Sequence, residues 1–228
     1  EVIAIFHRYE IDCLFNIYVD ADAKDSSINR LHFNHSVLGM PDKDYYLSNN
    51  FDNYKIKYLK YIKQLLYSFK IDIGNEYPEK IFNFEKKIAE ITLSKEDKRD
   101  PIKCYHKLSL KQLIDKFNNL YLTDYFRILN INPEYVILDD IRFYKKIEEF
   151  LNKFNINEWK MYLLFCLMNS LAPYLSSIYD KIYFDFYGKI LSGQKKQKPL
   201  DEKITNTVNL YLEDSIGIIF VEKYFNKK

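Results

Sequence analysis

The chain has 228 residues, 47% of them hydrophobic, with 21 tyrosines and 17 phenylalanines but only 5 glycines and 6 prolines. That length buries a substantial core, and so few turn formers exclude a loop-rich or all-β fold. Lys and Arg total 34 against 32 Asp and Glu, a net charge of +2 that is too even for a general nucleic-acid or anionic-membrane binder.

Taken in chain order, Asn29 to Asn34 reads as a strand. The segment Leu38-Gly39-Met40-Pro41-Asp42-Lys43-Asp44-Tyr45-Tyr46-Leu47 is a punctuated turn. Gly39 is free to take φ > 0, Pro41 fixes its own φ and pushes Met40 toward extended geometry, and Asp42 and Asp44 bond amides to open a helix. Phe51, Tyr54, Tyr58, Ile62, Leu65 and Phe69 form one helical stripe, which Gly74 and Asn75 are expected to stop. Pro78 suits the first turn of the next helix, striped by Ile81, Phe84, Ile88 and Ile91. Residues 94–101 read as a charged connector, after which Ser109 caps a helix carrying Leu110, Leu113, Ile114 and Phe117.

Tyr135 to Leu138 is the better strand candidate, β-branched and bounded by Pro133 and Asp139. A helix from about Asp140 presents Phe143, Ile147, Phe150, Leu151 and Phe154. Asn157 is expected to cap a long apolar helix that Pro173 divides, with the continuation ending near Gly193. The connector 194–199 then leads to one last helix bearing Ile204, Val208, Tyr211, Ile216, Phe220 and Tyr224. No repeat and no sustained heptad is present. The expected fold is mainly α, a multi-helix domain over 1–228 with one or two short strands, its aromatic stripes serving as core.

Chemistry is harder to find. A zinc hydrolase needs two histidines one helical turn apart with a glutamate between them, and none of His7, His32, His35 and His106 stands in His-Glu-x-x-His. His32 and His35 point to opposite sides of an extended segment. Asp20, Asp22 and Asp25 lack the glycine and terminal glutamate of a calcium loop. GxGxxG, the P-loop and GxSxG are missing too. Cys13, Cys104 and Cys166 are odd in number and far apart, so they read as buried or half-buried apolar residues. No apolar run reaches the ~18 residues of a membrane span. Reduced thiols place a cytoplasmic setting slightly ahead of an exported one, and the residues themselves do not fix the compartment.

The 38–47 turn resembles a segment of the neprilysin, endothelin-converting enzyme and oligoendopeptidase O family of zinc peptidases. Other segments resemble it in the same order: Asp22 to Ser27, Phe84-Glu85-Lys86-Lys87-Ile88-Ala89, Glu96 to Pro101 and Tyr105 to Leu110. Ser170-Leu171, Phe186-Tyr187-Gly188, and Ile216-Gly217 through Val221-Glu222 and Phe225 follow. The motif residues carried over are Gly39, Pro41, Asp44, Tyr45, Tyr46, Arg99, Asp100, Tyr105, Gly188 and Gly217, all in structural roles. His106 stands where the family has Asn, and Ile204 where it has a cysteine, which excludes a disulfide there.

The resemblance implies the N-terminal, helical lid region of such a peptidase, facing a thermolysin-like catalytic domain that lies outside these residues and holds the zinc. It implies peptide substrates, no cofactor in this chain, no nucleic-acid partner and no membrane segment. The chain is then expected to be inactive alone and to gate substrates by size. Two other readings stand beside it. One is a degenerate stand-alone helical module that binds peptides or a protein partner; the other is an enzyme of a different class, for which no constellation of residues is visible.

Overall fold

The computed structural model describes residues 1–35, 38–71 and 74–225. The chain forms two units, Glu1–Phe186 and Tyr187–Lys228.

In the first unit, helix α1 (Val2–Arg8) precedes a hairpin of β1 (Phe15–Asp22) and β2 (Asp25–His35). Alternation decides which face is buried: Leu31, Phe33 and His35 of β2 point into the core, while the residues between them are less buried. Strand β3 (His106–Ser109) and strand β4 (Tyr135–Leu138) complete a four-stranded sheet in the order β1-β2-β4-β3. β4 runs parallel to β2, with Leu31 opposite Val136 and Phe33 opposite Leu138, and β3 pairs antiparallel to β4.

The fold is mainly helical, and both strands expected from the sequence are present, but the sheet has four strands instead of one or two. β1 escaped notice because its outer half, Tyr18 to Asp20, is exposed and polar residues interrupt it. β3 has only 4 residues and so carries little pattern of its own.

The helices of this unit pack on the sheet and on one another. They are α2 (Asp44–Leu47), α3 (Asp52–Ser68), α4 (Tyr77–Ile91), α5 (Lys95–Lys98), α6 (Leu110–Lys116), α7 (Leu122–Leu129), α8 (Ile141–Lys153), α9 (Ile156–Leu171) and α10 (Ser177–Tyr183). Ser109 does cap α6, in a reciprocal box with Gln112.

Local chemistry moves several boundaries. α3 ends at Phe69, with Lys70 at φ 55°, before Gly74 is reached. The 94–101 connector holds α5, because the Ser94 hydroxyl accepts from the Asp97 amide at 3.0 Å. The cap of α9 is Asn155, not Asn157. Its side chain accepts from Asn157 N at 2.9 Å and Glu158 N at 3.1 Å, and Glu158 answers to the Asn155 amide at 2.9 Å. Pro173 divides the helix as expected, sitting in a single tight turn, Ala172–Tyr174.

Aromatic side chains build the core. Phe15, Phe33, Tyr125 and Tyr144 pack with centroids 5.7 to 6.2 Å apart behind the sheet. Tyr58, Tyr61, Phe165 and Phe186 form a second cluster, where Tyr61 stacks on Phe186 at 5.0 Å.

The second unit begins inside a wide-turned helical stretch, Phe184–Leu191, and carries helix α11 (Leu200–Tyr211) and helix α12 (Glu213–Tyr224). The single last helix expected from the sequence is therefore two, broken where Leu212 leaves helical geometry. Glu213 and Asp214 then favour a fresh N-terminus through the helix dipole.

Candidate functional site

The motif residues do not converge on one site. Gly39 and Tyr46 enter a buried knot around Glu85, Tyr105 joins a salt-bridged corner at Asp22, and the others are scattered over the 38–47 turn, the turn at 99–100 and the second unit.

The knot forms because the apolar face of α4 carries a carboxylate. Glu85 sits between Ile81 and Ile88 on the buried side and is 2% exposed. It accepts from the Gly39 amide at 3.1 Å, the Tyr46 hydroxyl at 3.0 Å and the Tyr58 hydroxyl at 2.8 Å. The Met40 amide donates in turn to Tyr46 Oη at 2.9 Å. Burial pushes the Glu85 carboxyl up to about 7, outweighing the three donors that pull it down.

Gly39 is not in the left-handed region, contrary to the reading of it as a φ > 0 position. It is glycine because a Cβ there would overlap the Tyr58 hydroxyl and lie 2.9 Å from Glu85 Oε1. Pro41 is exposed in the turn. Asp42 accepts from the Asp44 amide at 2.8 Å and pairs with Lys95 at 2.6 Å, while Asp44 itself opens α2 from an exposed position. Tyr45 lies outside the knot, stacked on Phe51 at 4.3 Å.

At the second place, Tyr105 and β3 reach the tip of the hairpin. The Asp22 side chain, shielded from solvent, accepts from Tyr105 Oη at 2.7 Å, Lys107 Nζ at 2.8 Å and the Lys24 amide at 3.0 Å. These donors, Lys107 first, hold its carboxyl well below the usual carboxylate range. The acidic tip is thus an ion-pair corner, and Asp25 is occupied with Ser27. Asp100 caps the next turn by accepting from Ile102 N at 2.9 Å, and Arg99 is exposed beside it. Gly188 is buried and its carbonyl accepts from Gln194 N at 2.9 Å. Gly217 stands in exposed α12, where a Cβ would meet nothing within 4 Å.

A polar hollow of about 260 Å³ beside the sheet gathers the side chains that most resemble a catalytic set: His32, His35, Cys104 and Asp139. Its hydrogen bonds argue against catalysis. Leu93 N–H donates to His35 Nε2 at 3.3 Å, so the ring proton is on Nδ1 and is donated to Asp139. The nitrogen that would serve as a base is therefore already used, and His35 is buried. Burial, reinforced by Asp139 and Asp100, pushes the Cys104 thiol up, away from a reactive thiolate.

His7 and His106 are committed in the same way, whereas the buried Nε2 of His32 has no hydrogen-bond partner among the described residues. His7 donates from Nε2 to the Cys13 carbonyl at 3.2 Å and accepts from Tyr125 at 2.7 Å, and His106 donates to the Leu138 carbonyl at 3.1 Å. His32 stacks on Tyr18 at 5.2 Å. Among the described residues no three His, Cys, Asp or Glu side chains are grouped to hold a metal, so these residues do not fit a zinc site. No single helix among them is long and apolar enough to cross a membrane.

Sequence reading missed Glu85 as a site residue, although the signal was there: a glutamate at the i+4 position from Ile81 and i−3 from Ile88 lies on the apolar stripe. Asp139 and His35 are 104 positions apart, and nothing local announces their pairing.

In the second unit, α12 presents an apolar surface. Ile218, Ile219, Phe220 and Val221 are each more than half exposed, and neither α11 nor α12 has a buried residue.

Comparison with known proteins follows the same lines. Neprilysin-11 of Caenorhabditis elegans is 25% identical over 96% of this chain and 28% of its own length. Endothelin-converting enzyme 1 of Bos taurus is 29% identical over 96% of this chain and 30% of its own. The chain thus spans less than a third of these relatives. Among solved structures, zinc metalloprotease Zmp1 of Mycobacterium tuberculosis in its open state superposes with a TM-score of 0.90 at 20% identity, covering 98% of this chain and 36% of that one. PepO from Lactobacillus rhamnosis gives 0.77 at 17% identity, covering 99% of this chain and 36% of that one. The sequence model for peptidase family M13, N-terminal part, matches residues 1–228, and the chain belongs to that family.

Proposed function

We propose that this chain is the substrate-gating region of a zinc metallopeptidase acting on peptides, with the metal and the hydrolytic groups supplied by residues outside it. One observation carries the reading. The family match runs the whole length of a chain that covers 28 to 36% of its relatives, and among the described residues no three His, Cys, Asp or Glu side chains are grouped to hold a metal. The names of the relatives, an endothelin-converting enzyme and a zinc metalloprotease among them, supply the substrate class and the metal.

Gating of this kind needs no nucleophile. A rigid wall of packed helices excludes large substrates and sheds water around those admitted. Aromatic packing around the buried Glu85 knot gives such rigidity, and the exposed apolar residues of α12 support docking onto a companion domain.

The test uses the intact protein with one cleavable sequence in two settings, a free peptide of about ten residues and the same residues in a surface loop of a folded carrier. Gating predicts chelator-sensitive cleavage of the peptide and none of the folded carrier. Equal rates for both would overturn it. A monomeric 228-residue product that binds a defined partner and is joined to no catalytic domain would favour the stand-alone module instead.

A further inference from the structure

Through one carboxyl group Glu85 ties α4 to two other stretches of chain, 38–47 and α3. The turn before α2 contributes the Gly39 amide, α2 contributes the Tyr46 hydroxyl, and α3 contributes the Tyr58 hydroxyl. The Met40 amide, donating to Tyr46 Oη, extends the chain of bonds one step further along the turn. Lifting the turn would strip Glu85 of two of these donors at once and admit water to a group now 2% exposed. The attachment of the turn and the hydration of the carboxyl are therefore a single event.

We propose that Glu85 is a proton-operated latch: its neutral form holds the 38–47 turn against α3 and α4, and its ionised form favours release. The inference does not depend on the gating role.

The surroundings leave Glu85 as the group that changes charge. Tyr61 of α3 and Tyr162 and Cys166 of α9 face it, and burial pushes all three upward, so they stay neutral across the neutral range. On the turn, Asp42 is paired with Lys95, and Lys43 Nζ donates to the Thr92 carbonyl at 3.1 Å. On α4, Lys87 pairs with Glu90 at the surface.

The sign follows from linkage. In the closed knot the carboxyl titrates at about 7, and once hydrated it returns toward its ordinary 4.5. Between those values the closed form keeps a proton that the open form has lost. Opening therefore becomes easier as pH rises through that window, by about tenfold per pH unit, and levels off above it. Proton uptake tightens the turn.

Hydrogen–deuterium exchange of the intact protein, read by mass spectrometry on a peptide spanning 38–47, tests this once rates are corrected for intrinsic exchange. The opening equilibrium should climb about tenfold per pH unit between roughly pH 5 and 7 and then flatten. Glu85→Gln, which cannot ionise, should give a flat profile. Tyr58→Phe removes a donor that favours the ionised form, and should move the midpoint to higher pH. A flat wild-type profile, or an equal slope in Glu85→Gln, overturns the proposal. If Glu85→Gln does not fold, the wild-type profile and the Tyr58→Phe midpoint decide: a flat profile or an unmoved midpoint overturns it.

Discussion

At the scale of the residue, Gly39 is required for a reason the sequence does not announce. The sequence offers it as a residue free to take φ > 0, but its backbone is not left-handed and close approach is what demands glycine there. The two explanations differ in their consequences. A φ > 0 site would penalise β-branched residues above all, whereas a crowded site penalises any Cβ. Gly39→Ala should therefore already destabilise by about 1–3 kcal/mol, as overpacked cores do. Urea denaturation would measure it, and an unchanged midpoint would mean that Tyr58 and Glu85 do not hold their places. Asp22 gives a second prediction with a defined sign. Lys107 and Tyr105 depress its carboxyl, so its contribution is present above the ordinary carboxylate range and is lost as pH falls through and below that range. Asp22→Asn should lower the melting temperature at neutral pH and converge with wild type in strong acid. A constant difference at every pH would contradict the pairing.

At the scale of the element, periodicity and capping chemistry made the helices readable, since both are local. Ser109 before Leu110, Pro78 in a first turn, and Pro173 as a breaker all act within one turn of chain. Ser109→Ala should cost about 1 kcal/mol, observed as a lower midpoint in chemical denaturation, because the box with Gln112 is lost. No loss would show that α6 is held by packing alone. What stayed hidden was non-local or too short to carry a pattern. β3 has 4 residues and owes its form to pairing with β4. The break at Leu212 contains neither proline nor glycine, and the acidic pair Glu213 and Asp214 that opens α12 is too weak a signal by itself to mark it. The knot around Glu85 was half visible, as a charge on an apolar stripe. The pairing of His35 with Asp139 depends on the sheet bringing β2 beside β4, which no single segment encodes.

At the scale of the whole molecule, the described residues hold an aromatic core, two buried polar clusters, and three histidines, His7, His35 and His106, bound into structural hydrogen bonds. The exposed apolar residues of α12, Ile218 to Val221, are a separate feature of the second unit. Ile219 is 63% exposed, so Ile219→Asp should change the stability of the isolated chain by less than ~0.5 kcal/mol. If α12 docks on a companion domain, the same substitution in the intact protein should lower activity, and an unaffected intact protein would remove that docking face. In the proposed function this chain shapes a compartment and leaves hydrolysis to residues outside it. The most direct measurement combines the zinc content of purified residues 1–228, dialysed against excess metal, with their cleavage of a short fluorogenic peptide with and without chelator. The account predicts no stoichiometric zinc and no chelator-sensitive cleavage. One tightly held zinc per chain with turnover abolished by chelation would contradict it.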